Sequence, residues 1–579
     1  MEVEKATYIL GISAYFHDSA AALLKDGRVL VAIQEERLTR IKQDSSLPVN
    51  AVQFCLDFAG ITIDDVDTIA YYEKPFLKFE RLLETQIAFY PKAYLPFRKT
   101  IKSWLRDKLW VPHNIRKAIG FKGEFFYCEH HESHAAAASY SSPFEETAFL
   151  TLDGVGEWTC ASYGILKNNQ LQILSEQTYP HSVGMLYSAF AQYCGFRVNS
   201  GEYKLMGLAP YGKPKYADLI REKIVQINKD GSIKLELKYF RFHNGMRMIN
   251  SKFENVFGKP ALKPEKNIST FYKDIAASIQ EVLEEIVLKS ASHVRVQTGM
   301  KYLCYGGGVA LNCKANQRLL ESEIFEDIFI YGASGDAGGA VGAALLCSNQ
   351  NQSRQIISTS SYLGKEFTAE EIQNTLGEYK VKGTLLSKEE MIGVTSSELA
   401  NGKVIAWLQG RDEMGPRALG NRSILASPTD NQMRDRINRM IKFREQFRPF
   451  APVVLEEKAN DYFKSVRNAN EMLYTFTALD GKEIPSCVHE DGSARVQTVN
   501  SHQNPLLHEL IAEFNRKAGV PILINTSFNR RGEPMVHSPE DALRTFFRSG
   551  LDVLVLGNFV IRKEENSHVQ IEDTTLELD

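Results

Sequence analysis

The chain has 579 residues, 44% of them hydrophobic and 24% charged, and a net charge of −3. That length implies two to four domains. The even charge balance excludes a globally basic protein built for nucleic acid or an anionic membrane. No apolar run reaches the eighteen residues of a spanning helix, and the acidic opening residues do not read as a secretory leader. The eight cysteines are scattered without a Cys-x-x-Cys pair, which argues against a thiolate zinc site or a disulfide framework and predicts a reduced, cytoplasmic protein.

In chain order, Tyr8 to Gly11 reads as a buried strand, followed by the polar loop Ser13 to Ser19, which holds His17 and Asp18. A strand from Ala20 to Leu24, the turn Lys25-Asp26-Gly27 and a strand from Val29 to Ile33 complete a plausible phosphate-facing opening. His17 suits a proton acceptor, a phosphate contact or a structural role equally. Residues 48 to 60 and 268 to 296 carry helical periodicity. Residues 74 to 120 are rich in basic and aromatic side chains, among them Phe76, Tyr90, Tyr94, Trp104 and Trp110. They suit an acceptor wall, a dimer surface or ordinary packing.

The run His130-His-Glu-Ser-His134 precedes four alanines, which favour helix. Four residues apart on a helix, His130 and His134 share a face and can reach one metal ion. Asp153, at the end of an apolar strand, can supply a third ligand. The spacing differs from the zinc-protease His-Glu-x-x-His, and a packed helix with satisfied histidines accounts for the pentapeptide alone equally well. Gly306-Gly307-Gly308-Val-Ala-Leu-Asn312 follows a strand and admits close approach of an anion to backbone; a bare tight turn explains it as well. Ser334-Gly335-Asp336 repeats the arrangement after the next strand, so a nucleotide held between two half-domains is the favoured reading.

The polar stretch 348 to 355 is the best linker, and a second α/β domain extends from about 360 to 565, with an acidic, loose tail. Its features are the arginine- and glycine-rich segment from Arg411 to Arg422 and a basic helix over residues 430 to 443. Beyond these come Arg448 in a proline-rich run, Arg495, and Thr526-Ser-Phe-Asn-Arg-Arg-Gly-Glu-Pro534 after a buried strand. Cations interleaved with Ile437, Ile441, Phe443 and Phe447 favour a compact oxyanion pocket over a solvated face. No internal repeat stands out.

Taken together, these segments resemble the carbamoyltransferases of the NodU/CmcH family. The likeness runs through Ile9 to Leu23, Gln34 to Arg40, Glu129 to Ala135, Leu152 to Trp158, Gly201 to Gly212, both glycine clusters and the block from Gly410 to Pro452. The resemblance implies an α/β fold with an N-terminal actin-like ATPase (ASKHA) domain, residues 1–350, and a C-terminal YrdC-like α/β domain, residues 360–579. It implies His130, His134, Asp153 and Asp336 as ligands of a divalent metal, iron(II) by family habit, with Mg²⁺ accompanying ATP. Gly306, Gly307, Gly308, Asn312 and Gly335 would bind nucleotide in the first domain. Carbamoyl phosphate and ATP would form a carbamoyl adenylate in the second. Arg417, Lys442, Arg448 and Arg495 would neutralise its phosphate, with Thr526, Ser527, Asn529 and Arg530 on the adenylate loop. The carbamoyl group would then pass to a hydroxyl of a small natural product beside His17, acting as base or orienter. Lys204 suits a phosphate contact or a salt bridge. Nucleic acid and membrane are not expected as partners, and a homodimer is the expected assembly. A tRNA threonylcarbamoyl transferase and a non-enzymatic nucleotide module of actin-like fold are the competing readings.

Overall fold

The computed structural model describes residues 6–264, 266–350, 360–442, 450–481, 484–569 and 571. It divides into two compact units, Met1–Glu35 with Asp44–Ser360, and Glu36–Gln43 with Ser361–Asp579.

In the first unit, alternation of apolar residues with turn signals produces the strands β1 (Tyr8–Ser13), β2 (Ala20–Lys25) and β3 (Arg28–Gln34). With β4 (Thr68–Tyr71) and β5 (Glu124–Tyr127) they form a sheet of order β3-β2-β1-β4-β5. The first three strands are antiparallel, and β1, β4 and β5 run parallel. A second sheet uses β6 (Thr147–Leu152), β7 (Thr159–Lys167), β8 (Gln170–Thr178), β9 (Tyr302–Gly306) and β10 (Asp327–Ile330). Its order is β8-β7-β6-β9-β10, with the same antiparallel and parallel relations. The unit is therefore a duplicated sheet, the actin-like architecture, although no repeat shows in the residues.

Each last strand leads into a buried helix. The helix α4 (His130–Tyr140) opens with a Glu129–Glu132 capping box, and ten of its eleven residues are buried. Its counterpart α6 (Asp336–Asn349) is built of glycine, alanine and small aliphatics. The two helices pack on each other, and each crosses over to the other half's sheet: α6 on β1 and β2, α4 on β6 and β9. Gly342 permits this, since a Cβ there would lie 1.9 Å from the Ser133 carbonyl oxygen. The helices α1 (Val49–Ala59), α2 (Pro75–Ala88), α3 (Tyr94–Arg106) and α5 (Thr270–Thr298) complete the frame used below.

The second unit holds an eight-stranded mixed sheet in the order β11-β18-β17-β12-β13-β16-β14-β15. These strands are β11 (Thr384–Leu385), β12 (Ile405–Leu408), β13 (Arg422–Ala426), β14 (Ala451–Leu455), β15 (Gln497–Val499), β16 (Ile522–Ser527), β17 (Val553–Leu556) and β18 (Phe559–Arg562). Side chains alternate between two cores, so Ile405 and Trp407 face α8 (Lys388–Ala400) and α9 (Pro505–Ala518). Ala406 and Leu408 face α7 (Ala369–Glu378) and α10 (Pro539–Phe547). This two-faced α/β layer is the fold class expected of the second half. Within the basic helix expected over 430 to 443, Met433–Ile437 is α-helical and Asn438–Lys442 is a π-turn, and residue 443 lies outside the described residues. Most of the expected linker and acidic tail lies outside the described residues.

Candidate functional site

The first half supplies His130 and His134 from α4, one turn apart. The second half supplies Asp153, just past β6, and Asp336, the first residue of α6. All four are sequence-expected ligands, and one ligand atom from each lies within 4.8 Å of all the others. The two Nε2 atoms are 3.0 Å apart. Asp153 Oδ2 stands 3.2 Å from His130 and 3.9 Å from His134, and Asp336 Oδ1 stands 3.7 and 3.8 Å from the same rings.

Ligands held at about 2.1 Å around one ion sit roughly 3.0 Å apart when octahedral and 3.4 Å apart when tetrahedral. The observed spacings start in that range, at 3.0 and 3.2 Å, and extend beyond it to 3.7–3.9 Å, so the outer ligands need only a small inward shift to close on one ion. Asp336 Oδ2 is buried without a hydrogen-bond partner, another mark of a site shaped around a cation. Two imidazoles with two carboxylates suit a first-row divalent ion better than an all-oxygen magnesium site. The residues present therefore fit a divalent metal. Burial opposes charge on His130, but its bond to Asp153 and the charge of Asp336 carry its pKa up to about 9. Burial and the charge on His130 push His134 down to about 4. Burial would raise Asp153, yet the His130 bond and the imidazoles hold it far below the usual carboxylate range. One proton thus occupies the space a cation would take.

Neighbouring groups fix these ligands. Gly308 N donates to Asp153 Oδ1 at 2.8 Å. Gly307 adopts φ +86°, and a Cβ there would meet the Leu152 carbonyl at 2.4 Å. Gly306 closes β9 beside the His134 carbonyl, and Gly335 is the N-cap residue of α6. The Asn312 amide caps the following helix through Ala315 N and exchanges two bonds with Gln280. At least part of this glycine-rich region thus braces the ligand shell. Glu157, which sequence reasoning did not single out, accepts the His130 amide at 3.1 Å and the Lys74 amide at 2.7 Å. Lys204 is buried on its short helix.

His17 lies at the edge of this box, its Nε2 3.9 Å from Asp336 Oδ2 and its Nδ1 2.8 Å from Asp18 Oδ2. Burial lowers its pKa, but Asp336 and Asp18 raise it to about 9. Tyr15 and Asp18 on the same loop have φ of +70° and +56°, a strain tolerated where surroundings over-determine the backbone. Tyr15 is held by Ser45, Lys108 and Asn114.

Comparison with known proteins decides what kind of chain carries this geometry. The family model described as carbamoyltransferase N-terminus matches residues 8–345, and the carbamoyltransferase C-terminus model matches residues 396–563. The chain belongs to the carbamoyltransferase family. An uncharacterized protein of Synechocystis sp. is 46% identical over 96% of this carbamoyltransferase and 97% of its own length. Nodulation protein NolNO of Sinorhizobium fredii is 36% identical over 96% and 80%. The 3'-hydroxymethylcephem-O-carbamoyltransferase of Amycolatopsis lactamdurans is 27% identical over 95% and 98%. Among solved structures, component A of the (R)-2-hydroxyglutaryl-CoA dehydratase of Acidaminococcus fermentans covers 59% of the chain and 98% of its own, at 14% identity and a TM-score of 0.31.

In the second unit of the carbamoyltransferase, Lys442 lies in the π-turn, a deformation frequent at functional sites. Its Nζ donates to Ser527 O, to Ser527 Oγ at 3.1 Å, and to Asn529 O and Oδ1 at 3.0 and 2.7 Å. Ser527 Oγ also bonds Asn529 Oδ1, and Asn529 and Arg530 share Glu533. The motif from Thr526, at the end of β16, is thus gathered around Lys442. Arg417 and Arg495 are half-buried on separate loops, and Arg448 falls outside the described residues. The arginines of the Arg411 segment do not all face one pocket. Arg422 is fully buried and donates to the carbonyls of Gln409, Gly410, Asn421, Lys365 and His537. Arg411 bonds the carbonyls of Gly364 and Leu363. A buried Asp412–His537 pair at 3.0 Å, invisible from sequence spacing, joins this frame. So do Arg37 and Arg40 from the 36–43 segment, bonded to carbonyls of Gly415 and Met535.

Proposed function

We propose that this carbamoyltransferase transfers a carbamoyl group to a hydroxyl of a small natural product, drawing it from carbamoyl phosphate with the help of ATP. The observation that carries the reading is the four-ligand box of His130, His134, Asp153 and Asp336, with His17 at its edge, in a chain matched by both carbamoyltransferase models. A relative named for O-carbamoylation of a hydroxymethyl group supports the acceptor class.

In this reading the second unit activates the donor. Carbamoyl phosphate and water give carbamate and phosphate. A carbamate oxygen then attacks the α-phosphorus of ATP, forming carbamoyl adenylate and releasing pyrophosphate. Lys442, Arg417, Arg448 and Arg495 neutralise charge building on phosphate oxygens, while Ser527, Asn529, Thr526 and Arg530 line the adenylate. In the first unit, Gly306, Gly307, Gly308, Asn312 and Gly335 form the nucleotide-facing edge, and the acceptor hydroxyl attacks the carbamoyl carbon, expelling AMP. His130, His134, Asp153 and Asp336 would hold a divalent metal, Fe²⁺ by preference, and a metal so bound supplies Lewis-acid polarisation of an oxygen. His17, oriented by Asp18, takes the proton of the acceptor hydroxyl. Asp336 and Asp153, when they hold a cation, would draw less on the His17 proton, which suits His17 to act as a general base.

The test is pyrophosphate exchange into ATP. Exchange that depends on carbamoyl phosphate is expected, and nucleotide binding without exchange or turnover would sink the proposal.

A further inference from the structure

Residues 74 to 120, inserted between β4 and β5, differ in chemistry from the rest of the chain. They carry eleven lysines and arginines against Glu80, Glu84 and Asp107, in a protein whose net charge is −3. Among the described residues, eight of the seventeen exposed large apolar side chains fall between 76 and 110. The concentration is greatest where α2 turns into α3: Ile87 is 78% exposed, Tyr90 73% and Leu95 66%.

The α3 helix shows how the two chemistries combine. Phe97, Ile101 and Trp104 share one side, and Trp104 is buried beside the Phe79 ring. The opposite side interleaves Tyr94, Leu95 and Leu105 with Arg98, Lys99, Lys102 and Arg106, all of them exposed. Lys99 Nζ reaches Met246 Sδ at 3.4 Å, which brings an exposed methionine and its exposed neighbour Arg247 to the same surface. Core packing explains the inner side alone.

We infer that this outer face is a docking surface for an anionic lipid bilayer. Aliphatic and tyrosine side chains at the helical turn enter the headgroup–acyl boundary, while the long cationic side chains snorkel to anionic headgroups. A second copy of the chain is a poorer occupant. A two-fold interface sets the same patch against itself and would oppose Arg98, Lys99, Lys102 and Arg106 of one copy to the same four cations of the other. Nucleic acid would use the cations but leave Ile87, Leu95 and Leu105 against water. The absence of a spanning helix among the described residues concerns a different mode of association.

The experiment is cosedimentation of the full chain with vesicles of phosphatidylcholine, with and without phosphatidylglycerol. Pelleting with the anionic vesicles is expected, weakening as salt rises. R98Q/K102Q should weaken partition by about fivefold per charge, some 25-fold for the pair. I87S/L95S, at exposed positions that leave the fold intact, should weaken it about tenfold or more at unchanged charge. Failure to pellet with anionic vesicles overturns the inference, as does pelleting indifferent to I87S/L95S. So does a dimer in sedimentation analysis that L95R dissociates, or a duplex or single strand bound with equal strength by I87S/L95S.

Discussion

The contact between α4 and α6 places the histidines of one half against Asp336 of the other, and Gly342 sets how closely they approach. In Gly342→Ala the added Cβ would stand 1.9 Å from the Ser133 carbonyl oxygen and 3.0 Å from Ala137 N, both of them backbone. The first of these is about 1.5 Å short of ordinary contact, and close-packed backbone cannot rotate aside as a side chain can. The helices must part, at a cost of about 3 kcal/mol or more, the upper end of overpacking. Asp336 lies less than two turns up the same rigid helix, roughly 9 Å away, whereas a metal site tolerates ligand shifts of only about 0.2 Å. Metal affinity is therefore expected to fall at least tenfold, together with a lower melting temperature. Calorimetric titration with Co²⁺, followed also by its visible absorption, measures the first, and thermal unfolding the second. Gly377→Ala in α7 is the control, because its Cβ meets nothing within 4 Å; it should stabilise by about 0.5–1 kcal/mol. Wild-type metal binding by Gly342→Ala would refute the claim that this contact sets the ligand geometry.

Metal uptake should depend on pH with a definite sign. His130 sits near 9 and His134 near 4, so between those values a cation displaces at least the His130 proton. Its affinity should rise at least tenfold per pH unit and level off above 9, as titrations at several pH values would show. Chelation should abolish turnover and Fe²⁺ restore it, whereas Asp336→Asn should resist restoration in the same assay. Arg422→Ala removes five bonds to buried carbonyls and should destabilise the second unit by about 3–5 kcal/mol in denaturant unfolding. Glu471, raised by burial and by Glu413 to about 7, contributes stability that is complete below about 4.5 and is lost as pH rises through 7. Glu471→Gln should flatten that slope, and an unchanged slope would reject the assignment.

The metal box was legible because its residues are chemically loud. Two histidines one turn apart, ahead of an alanine run, announce a helix face, and an aspartate at a strand end next to glycine announces a reachable carboxylate. The bracing around them was not legible, because it rests on backbone groups that have no residue signature. Gly308 N holds Asp153, and the amide of His130 is held by Glu157. The Arg411 segment is harder to read for a related reason. An arginine that binds an oxyanion and one that binds five carbonyls look alike in sequence, and burial sets Arg422 apart as the second kind. Likewise, the sequence pattern of 430 to 443 does not betray that Lys442 is delivered by a π-turn.

The duplication of the first unit explains both why its repeat escaped notice and why the site exists. His17 and Asp153 both lie just beyond the first strand of a half, β1 and β6. His130 and Asp336 both open the helix after the last strand, α4 and α6. Equivalent backbone positions thus carry imidazole in one half and carboxylate in the other, and no residue-by-residue comparison would match them. That divergence suits the chemistry. Two identical halves would bring four imidazoles or four carboxylates together, the first offering a cation no counter-charge and the second self-repelling when empty. Each equivalent pair instead joins one imidazole with one carboxylate, and of these four His17 alone stands outside the ligand cluster, 3.9 Å from Asp336. His134, one turn into α4, makes up the fourth ligand, and the corresponding position in α6 is Ala340, a residue small enough to sit against the opposite sheet. The asymmetry of the ligand cluster is therefore carried by a handful of side chains on a symmetric frame, so exchanging His134 for Ala should weaken Co²⁺ binding at least tenfold in calorimetric titration while both helices still form, and unchanged affinity would remove His134 from the ligand set.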